Sequence, residues 1–490
     1  MSNPLHAGDL LGTPTYASDS SDQLLSGQIY TPIGTINLDK GLPAGPVDSH
    51  ALYDELDFQR ACQTYLWALP IVSFAEWQHQ HEKVFGAPDG QLVIYESYQD
   101  KLGILTANAT TPYIMSFANL HRTGPLVIDF PAGAMAGGVG DFWQRSVTDM
   151  GETGPDRGQG AKYLLLGQGQ SVADTTGYSV VQMPMNNIMF GVRSLEADPQ
   201  KSKDLIAKLS IYPLSQKNNP PPTKLISPAG RRWNQGQPRG LAYWKRLHAI
   251  LQEEPVEPRD RMMMAMLIPL GIEKDKAFDP DQRQLEILQQ GADVGELMAM
   301  NFSFNKRFEG ARYRADASWV YVLELKDPDQ EDDYYTQLDQ RTAWFYEAVT
   351  ASKGMMSRSA GLGQAYLGSY HDKAGHWLDG SKTYRLRVPP NPPAKQFWSL
   401  TVYDTRTRCL IDNPQGIGDK SSRMPELVKN ADGSVDIYIG PKAVPGFEAN
   451  WIPSIPQRAW FAYFRLYGPL EAYLDASWPL SDIEMVKETS

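Results

Sequence analysis

Cysteine is nearly missing from this chain: Cys62 and Cys409 are the two thiols in 490 residues. Two cysteines build neither a disulfide framework nor a C-x-x-C site, so reduced, buried thiols are expected, with a single long-range bridge as the alternative. Positive charge is also in deficit. Lys and Arg total 46 against 57 Asp and Glu, a formal charge of −11. Without a dominant basic field there is little to displace counterions from nucleic acid or to hold an anionic membrane. No apolar run reaches the roughly 18–20 residues that crossing a bilayer requires. Met262–Leu270 and Thr64–Phe74 come nearest, and both are short and interrupted by proline. Residues 1–25 hold no Lys or Arg and no apolar stretch of the export type, which points to the cytoplasm.

Familiar catalytic signatures are missing as well. There is no G-x-S-x-G elbow and no H-E-x-x-H pair. Gly154 to Lys162 ends in Gly160-Ala161-Lys162-Tyr163, where a phosphate loop needs Gly-Lys-Ser/Thr. A turn-rich surface loop is expected there, with an anion nest of glycine N–H groups as the alternative. Eight histidines leave few metal ligands. Glu76 and His79 form half of a di-iron motif, but no second E-x-x-H follows, and His81 would face away from His79 on a helix. These three are expected to be solvated helix-end residues. His371 and His376 flank a loop in which spacing defines no third ligand. No metal site is predicted, a metal enzyme built on His371 and His376 stays open as a third alternative, and the residues leave the cofactor unknown.

What is present is turn chemistry and aromatic strands. Thirty-six prolines and 41 glycines favour a β-rich or mixed architecture, and the length implies several domains. Residues 1–50 read as an extended arm and 51–200 as a β-rich domain. Residues 201–360 read as a linker followed by mainly helical structure, and 361–490 as an antiparallel β-sandwich of jelly-roll type. Phe58, Cys62, Tyr65 and Leu69 mark a helix from about Asp54 that Pro70 should stop. Leu126–Phe130, Tyr163–Leu166, Tyr178–Val181 and Ile188–Phe190 are short β-type runs. Tyr243–Leu251, Arg259–Leu267 and Arg283–Met300 carry helical periodicity, and the methionines at 262, 263, 264 and 266 are expected as core filler. Near the C-terminus, Tyr384–Val388, Val435–Ile439 and Trp460–Leu466 alternate with period two, and Asp432-Gly433 suits a hairpin.

The strand Phe397–Asp404 sets Trp398, Leu400 and Val402 on one face and Phe397, Ser399, Thr401 and Tyr403 on the other. Trp460–Tyr467 repeats this, with Phe461, Tyr463, Arg465 and Tyr467 opposite its core residues. Rings with polar tips suit a domain interface or a cavity wall better than a solvent face. Asn108-Ala109-Thr110-Thr111-Pro112-Tyr113 offers donors, acceptors and a ring on a stiff turn. Trp143, Arg145 and Asp149 add a ring and two opposite charges. A purely structural use of these groups, tying down loops, stands beside the functional one.

Taken together, these motifs resemble bacterial proteins that join domain of unknown function 1254 to domain of unknown function 1214. The N-terminal likeness spans about residues 58–195, through Tyr65–Pro70, Asn108–Tyr113, Asp141-Phe142-Trp143 and Gly154-Pro155-Asp156. The C-terminal likeness spans about 366–475, through Asp372–Gly375, Phe397–Asp404 and Arg465–Leu470. The common motif form reads Asn-Ala-Asp-Thr-Leu-Tyr; here Thr110 replaces Asp and Pro112 replaces Leu. Many relatives look exported. The resemblance implies a multi-domain fold with β-sandwich parts and a helical insertion.

The resulting expectation is an enzyme of hydrolase type acting on a small, partly apolar organic molecule between two β domains. Asp149 or Asp404 would serve as general base, and Tyr113, Tyr403 or Arg465 would stabilise developing negative charge. Asn108, Thr110, Tyr113, Trp143, Arg145 and Tyr463 would contact the substrate. The alternative is a non-catalytic ligand-binding or envelope-associated structural protein. Self-association is left open.

Overall fold

The computed structural model describes residues 26–196, 198–356 and 358–486. Contacts divide the chain into two compact units. One comprises residues up to Tyr65 with Arg239–Trp244 and Glu257–Glu296; the other holds Leu66–Pro238, Lys245–Val256 and Leu297–Ser490.

In the smaller unit, Gly27–Thr31 and Gly34–Asp39 pair antiparallel around a turn where Gly34 has φ 115°, and Leu42–Pro43 adds a third strand. Residues 27–43, expected in an extended arm, thus form a sheet, because Ile29, Ile36 and Leu38 alternate and pack with Ala51. The rest of that arm expectation, residues 1–25, lies outside the described residues. Asp48 accepts the Asn37 backbone N–H at 2.8 Å and so joins the sheet to the helix Pro46–His79. A second helix, Gln282–Phe304, approaches closely through glycine. A Cβ at Gly291 would lie 2.4 Å from the Ala61 Cβ, and one at Gly295 would meet the Tyr65 ring.

The helix Pro46–His79 does not stop at Pro70. Proline removes one N–H and disturbs the carbonyls one turn earlier, and side chains take up backbone carbonyls around it. Arg341 donates to the Trp67 carbonyl at 2.7 Å and Gln144 to the Pro70 carbonyl at 2.8 Å. The helix runs on into a wider turn, Gln80–Phe85, that ends on left-handed Gly86.

In the larger unit, the N-terminal part is two sheets sharing one core. Six strands run in the order Leu225–Ile226, Leu92–Tyr95, Tyr113–Asn119, Asn187–Ser194, Met135–Asp141, Ser146–Gly151. Four more run Ser179–Gln182, Ala161–Leu166, Leu126–Phe130, Ser210–Pro213. Ile114, Val139 and Phe190 from the first sheet pack with Ile128 and Leu165 from the second. The C-terminal part repeats the plan. Trp398, Leu400, Val402, Phe464 and Leu466 of one sheet meet Leu386, Val388, Ile437 and Ile439 of the other. Leu400 and Val402 are fully buried, each worth about 1.5–3 kcal/mol of apolar transfer. The alternation read from the sequence therefore does select the sandwich core.

The middle of the chain supplies helices Leu241–Glu253, Arg261–Leu267 and Leu338–Glu347, giving a mixed α and β architecture. The methionine run is not core filler. In Arg261–Leu267 the buried residue is Leu267, and Met262 is 68% exposed. Four methionines within five positions go round a helix, so they cannot share one inward face. Among the described residues no helix is long and apolar enough to cross a membrane.

Candidate functional site

The segment Ile104–Tyr113 is where the two β parts of the larger unit meet. Thr106 N donates to the Arg408 carbonyl at 2.8 Å, and Leu105 bridges Cys409. The following turn is built by its own side chains. Asn108 Oδ1 accepts from Thr110 N at 3.0 Å, Thr111 N at 2.8 Å and the Thr111 hydroxyl at 3.1 Å. Its Nδ2 donates to the Tyr113 hydroxyl, as does its backbone N–H at 3.0 Å. Below the turn, buried Lys101 donates to the Thr111 carbonyl at 2.8 Å. Burial lowers the Lys101 ammonium to about 8, against the pull of Asp419, Asp100 and Glu96. Asn108 and its neighbours are thus tied down, as a structural reading of the motif would have it. The same turn also forms one wall of a cavity.

That cavity has a volume of about 890 Å³, within the range of pockets that enclose small organic ligands. Its floor is the small-residue strand Met135–Asp141. At Gly137 a Cβ would lie 2.2 Å from the Gly191 carbonyl oxygen, so only glycine fits between these strands. Of the residues singled out from the sequence, Asn108, Thr110, Tyr113, Arg145, Asp149, Tyr463 and Arg465 line the cavity, and Tyr403, Asp404 and Trp143 do not.

Each of those three has another task. Tyr403 lies behind the wall, donating to the Ala107 carbonyl at 2.8 Å and accepting from Arg465 Nη1 at 2.5 Å. Asp404 sits at the strand end, where it accepts from Arg406 N and Thr407 N and pairs with Arg458 at 3.2 Å. Its carboxylate holds a turn, away from the hollow. Trp143 packs on Trp67 with ring centroids 4.7 Å apart, under the Arg341 guanidinium.

Among the lining residues, Arg145 is anchored by fully buried Asp141 at 2.6 Å. Asp149 accepts from the Ser146 hydroxyl at 3.1 Å; burial raises its carboxyl above the usual range, while Ser146, Gly354 and Lys353 pull it down. Arg465 is buried, donates Nη2 to the Thr106 carbonyl at 2.7 Å, and lies 5.2–5.7 Å from the rings of Tyr463, Tyr403 and Tyr366. Its neighbour in charge, Asp419, is raised by burial to about 6, against Lys101, Lys420 and Arg465.

The backbone is strained at the same place. Thr106 has φ 40° and Thr350 φ 63°; they are the β-branched residues in the left-handed region among the described residues, and both line the cavity. Gln144, at φ 62°, lines it too and accepts the Thr350 N–H at 2.8 Å. Such conformations cost of order 1–3 kcal/mol each and cluster where function requires them.

Sequence reasoning did not select Arg193, Tyr366 or Arg423, which also line the cavity. Arg193 ends a strand and Arg423 follows one, so no periodicity marked either. The one available signal was Met135–Asp141, a strand with three glycines in seven residues.

The histidine expectations need correction. His81 is fully buried, with its Nε2 2.8 Å from the Tyr95 hydroxyl and its ring edge-on to Phe117. Burial lowers it to about 3, so it stays neutral. Glu76 is buried as well and pairs with Arg246 at 2.9 Å. His79 is half-buried at the last position of the helix Pro46–His79, while Glu76 and His81 lie in packed structure. His371 packs on Trp377 and His376 lies 3.5 Å from Asp372; no cluster of potential metal ligands occurs among the described residues.

Two β-sandwich parts joined at Ile104–Tyr113, with a hollow between their walls, define the class of protein. Residues 90–213 match the family described as protein of unknown function DUF1254, and residues 363–471 match protein of unknown function DUF1214. The chain is a protein that pairs a DUF1254 domain with a DUF1214 domain. It is similar in fold to the VPA0106 protein from Vibrio parahaemolyticus, with TM-score 0.55 and 18% identity over 88% of this chain and 100% of that one. It also aligns with an uncharacterised protein from Burkholderia cenocepacia, with TM-score 0.40 and 13% identity over 90% and 97% of the two chains. No curated protein sequence matches the chain.

Proposed function

We propose that the chain binds and transforms a small, partly apolar organic molecule in the cavity between its two β-sandwich parts. The observation that carries this reading is the cavity of about 890 Å³, whose walls come from both family-matched segments. The strained threonines on its rim support it, since strain is retained where the surrounding structure over-determines it. In the hydrolytic form of the proposal, Asp149 takes a proton from water, and Arg465 and Tyr113 donate to the oxygen on which negative charge develops. Burial favours a base that titrates closer to neutrality than an exposed aspartate does.

A panel of esters, amides and phenolic compounds tests both halves. Ligand-induced rises in melting temperature are expected for some of them, with turnover that Asp149→Asn abolishes while the thermal shift persists. No shift and no turnover across the panel would return the chain to the structural reading. That reading draws its own support from the sealed half of the same wall, where Phe461 is covered by Phe304 and Tyr370.

A further inference from the structure

We infer that the ligand carries an anionic group, a carboxylate on an aromatic or apolar body, held by Arg465 and Arg193 inside a cage of tyrosines. This rests on the small-molecule reading of the cavity and names the chemistry it selects. An arginine stays charged at any working pH, and burying it without a counter-charge is costly. Arg465 is 4% exposed, yet no carboxylate lies within 4.0 Å of it among the described residues. Its guanidinium meets a carbonyl, a phenol oxygen and ring faces. Asp419, the acid that responds to it, lies beyond ion-pair distance and also faces Lys101 and Lys420.

Arg193 enters from the other sandwich. It too has no carboxylate within 4.0 Å among the described residues. Both guanidiniums act on the same two phenols, Tyr366 and Tyr467. The Tyr467 hydroxyl is buried without a hydrogen-bond partner, and its ring stacks on Phe397 at 3.9 Å. The four lining acids, Glu96, Asp149, Glu152 and Glu196, all lie beyond 4.0 Å of both arginines. Two guanidiniums from opposite walls, neither with a carboxylate within 4.0 Å among the described residues, a spare phenol and a stacked ring pair together make a receptor for a flat organic acid.

The test is calorimetric titration of the full chain with phenylpropanoate and with phenylpropanamide, which has the same shape without the charge. The acid is expected to bind about tenfold tighter or better, as charge-assisted hydrogen bonds allow. Arg193→Gln, a half-buried position, should remove most of that preference for acid over amide. Arg465→Lys, which keeps the charge but loses the planar fork, should reduce it in part. Equal affinity for acid and amide would overturn the anionic assignment and leave the cavity reading standing. If neither compound binds, the anionic assignment falls, and the wider panel of neutral compounds decides the cavity reading separately.

Discussion

The strands Ala394–Asp404 and Trp460–Pro469 turn one aromatic face away from their sandwich core, and the two ends of that face have different fates. At one end Tyr403 opposes Phe461, and at the other Phe397 opposes Tyr467. Around Tyr403 and Phe461 the polar tip is used and the rings are covered: Tyr403 bonds Ala107 and Arg465, and Phe461 touches Phe304 and Tyr370. Around Phe397 and Tyr467 the rings stack on each other beside a hollow, and the tyrosine hydroxyl has no partner. The same alternation writes both ends. An aromatic strand face with polar tips therefore reports that it is buried, and only what lies against it distinguishes packing from a site wall.

Substitutions along the face can break this contrast. Phe461→Ala at the closed end should cost about 3–5 kcal/mol in urea denaturation. Phe397→Ala, which enlarges a hollow already present, should cost appreciably less; equal losses would erase the distinction.

Between the two ends, Asp419 pairs with Thr401 at the sheet edge. Its folded carboxyl is raised by burial to about 6 from an ordinary 3.8. The folded state therefore holds the proton longer than the unfolded chain. Stability from this group is full below about pH 4 and is lost as pH rises through about 6, by about 3 kcal/mol. Asp419→Asn should flatten that fall when unfolding free energy is followed across the window, and an unchanged slope would reject it.

Tyr403→Phe should cost about 1–2 kcal/mol, because the Arg465 and Ala107 groups lose their partner. The smallest effect is expected for Tyr467→Phe. Removing a hydroxyl that bonds nothing should leave the melting temperature level or slightly higher, and a loss comparable with Tyr403→Phe would show that the open end is packed like the closed one.

Much of the architecture was legible in the residues. Period two at Tyr384–Val388 and Trp460–Leu466 identified core strands, because one sheet face must meet another. The motif Asn108–Tyr113 could be read as a tied turn, since a short amide side chain followed by threonines folds back on its own backbone. The helix through Pro70 was not legible. Arg341 and Gln144, far away in sequence, reach helix carbonyls beside it, and the packed structure around Pro70 is assembled from elements the local sequence does not name. His81 was misread for a related reason: burial of a helix face depends on which element arrives beside it.

The amino-acid order by itself determined the strands, their inward faces and the tight turns, because these follow from local backbone preference and hydrophobic period, and its motifs carried the resemblance to two domain types. Only the tertiary structure decided that Arg193, marked by no motif, and Arg465, far from it along the chain, line one hollow with no carboxylate within 4.0 Å of either among the described residues. Charge balance is a property of neighbours in space, and period and spacing carry no record of them.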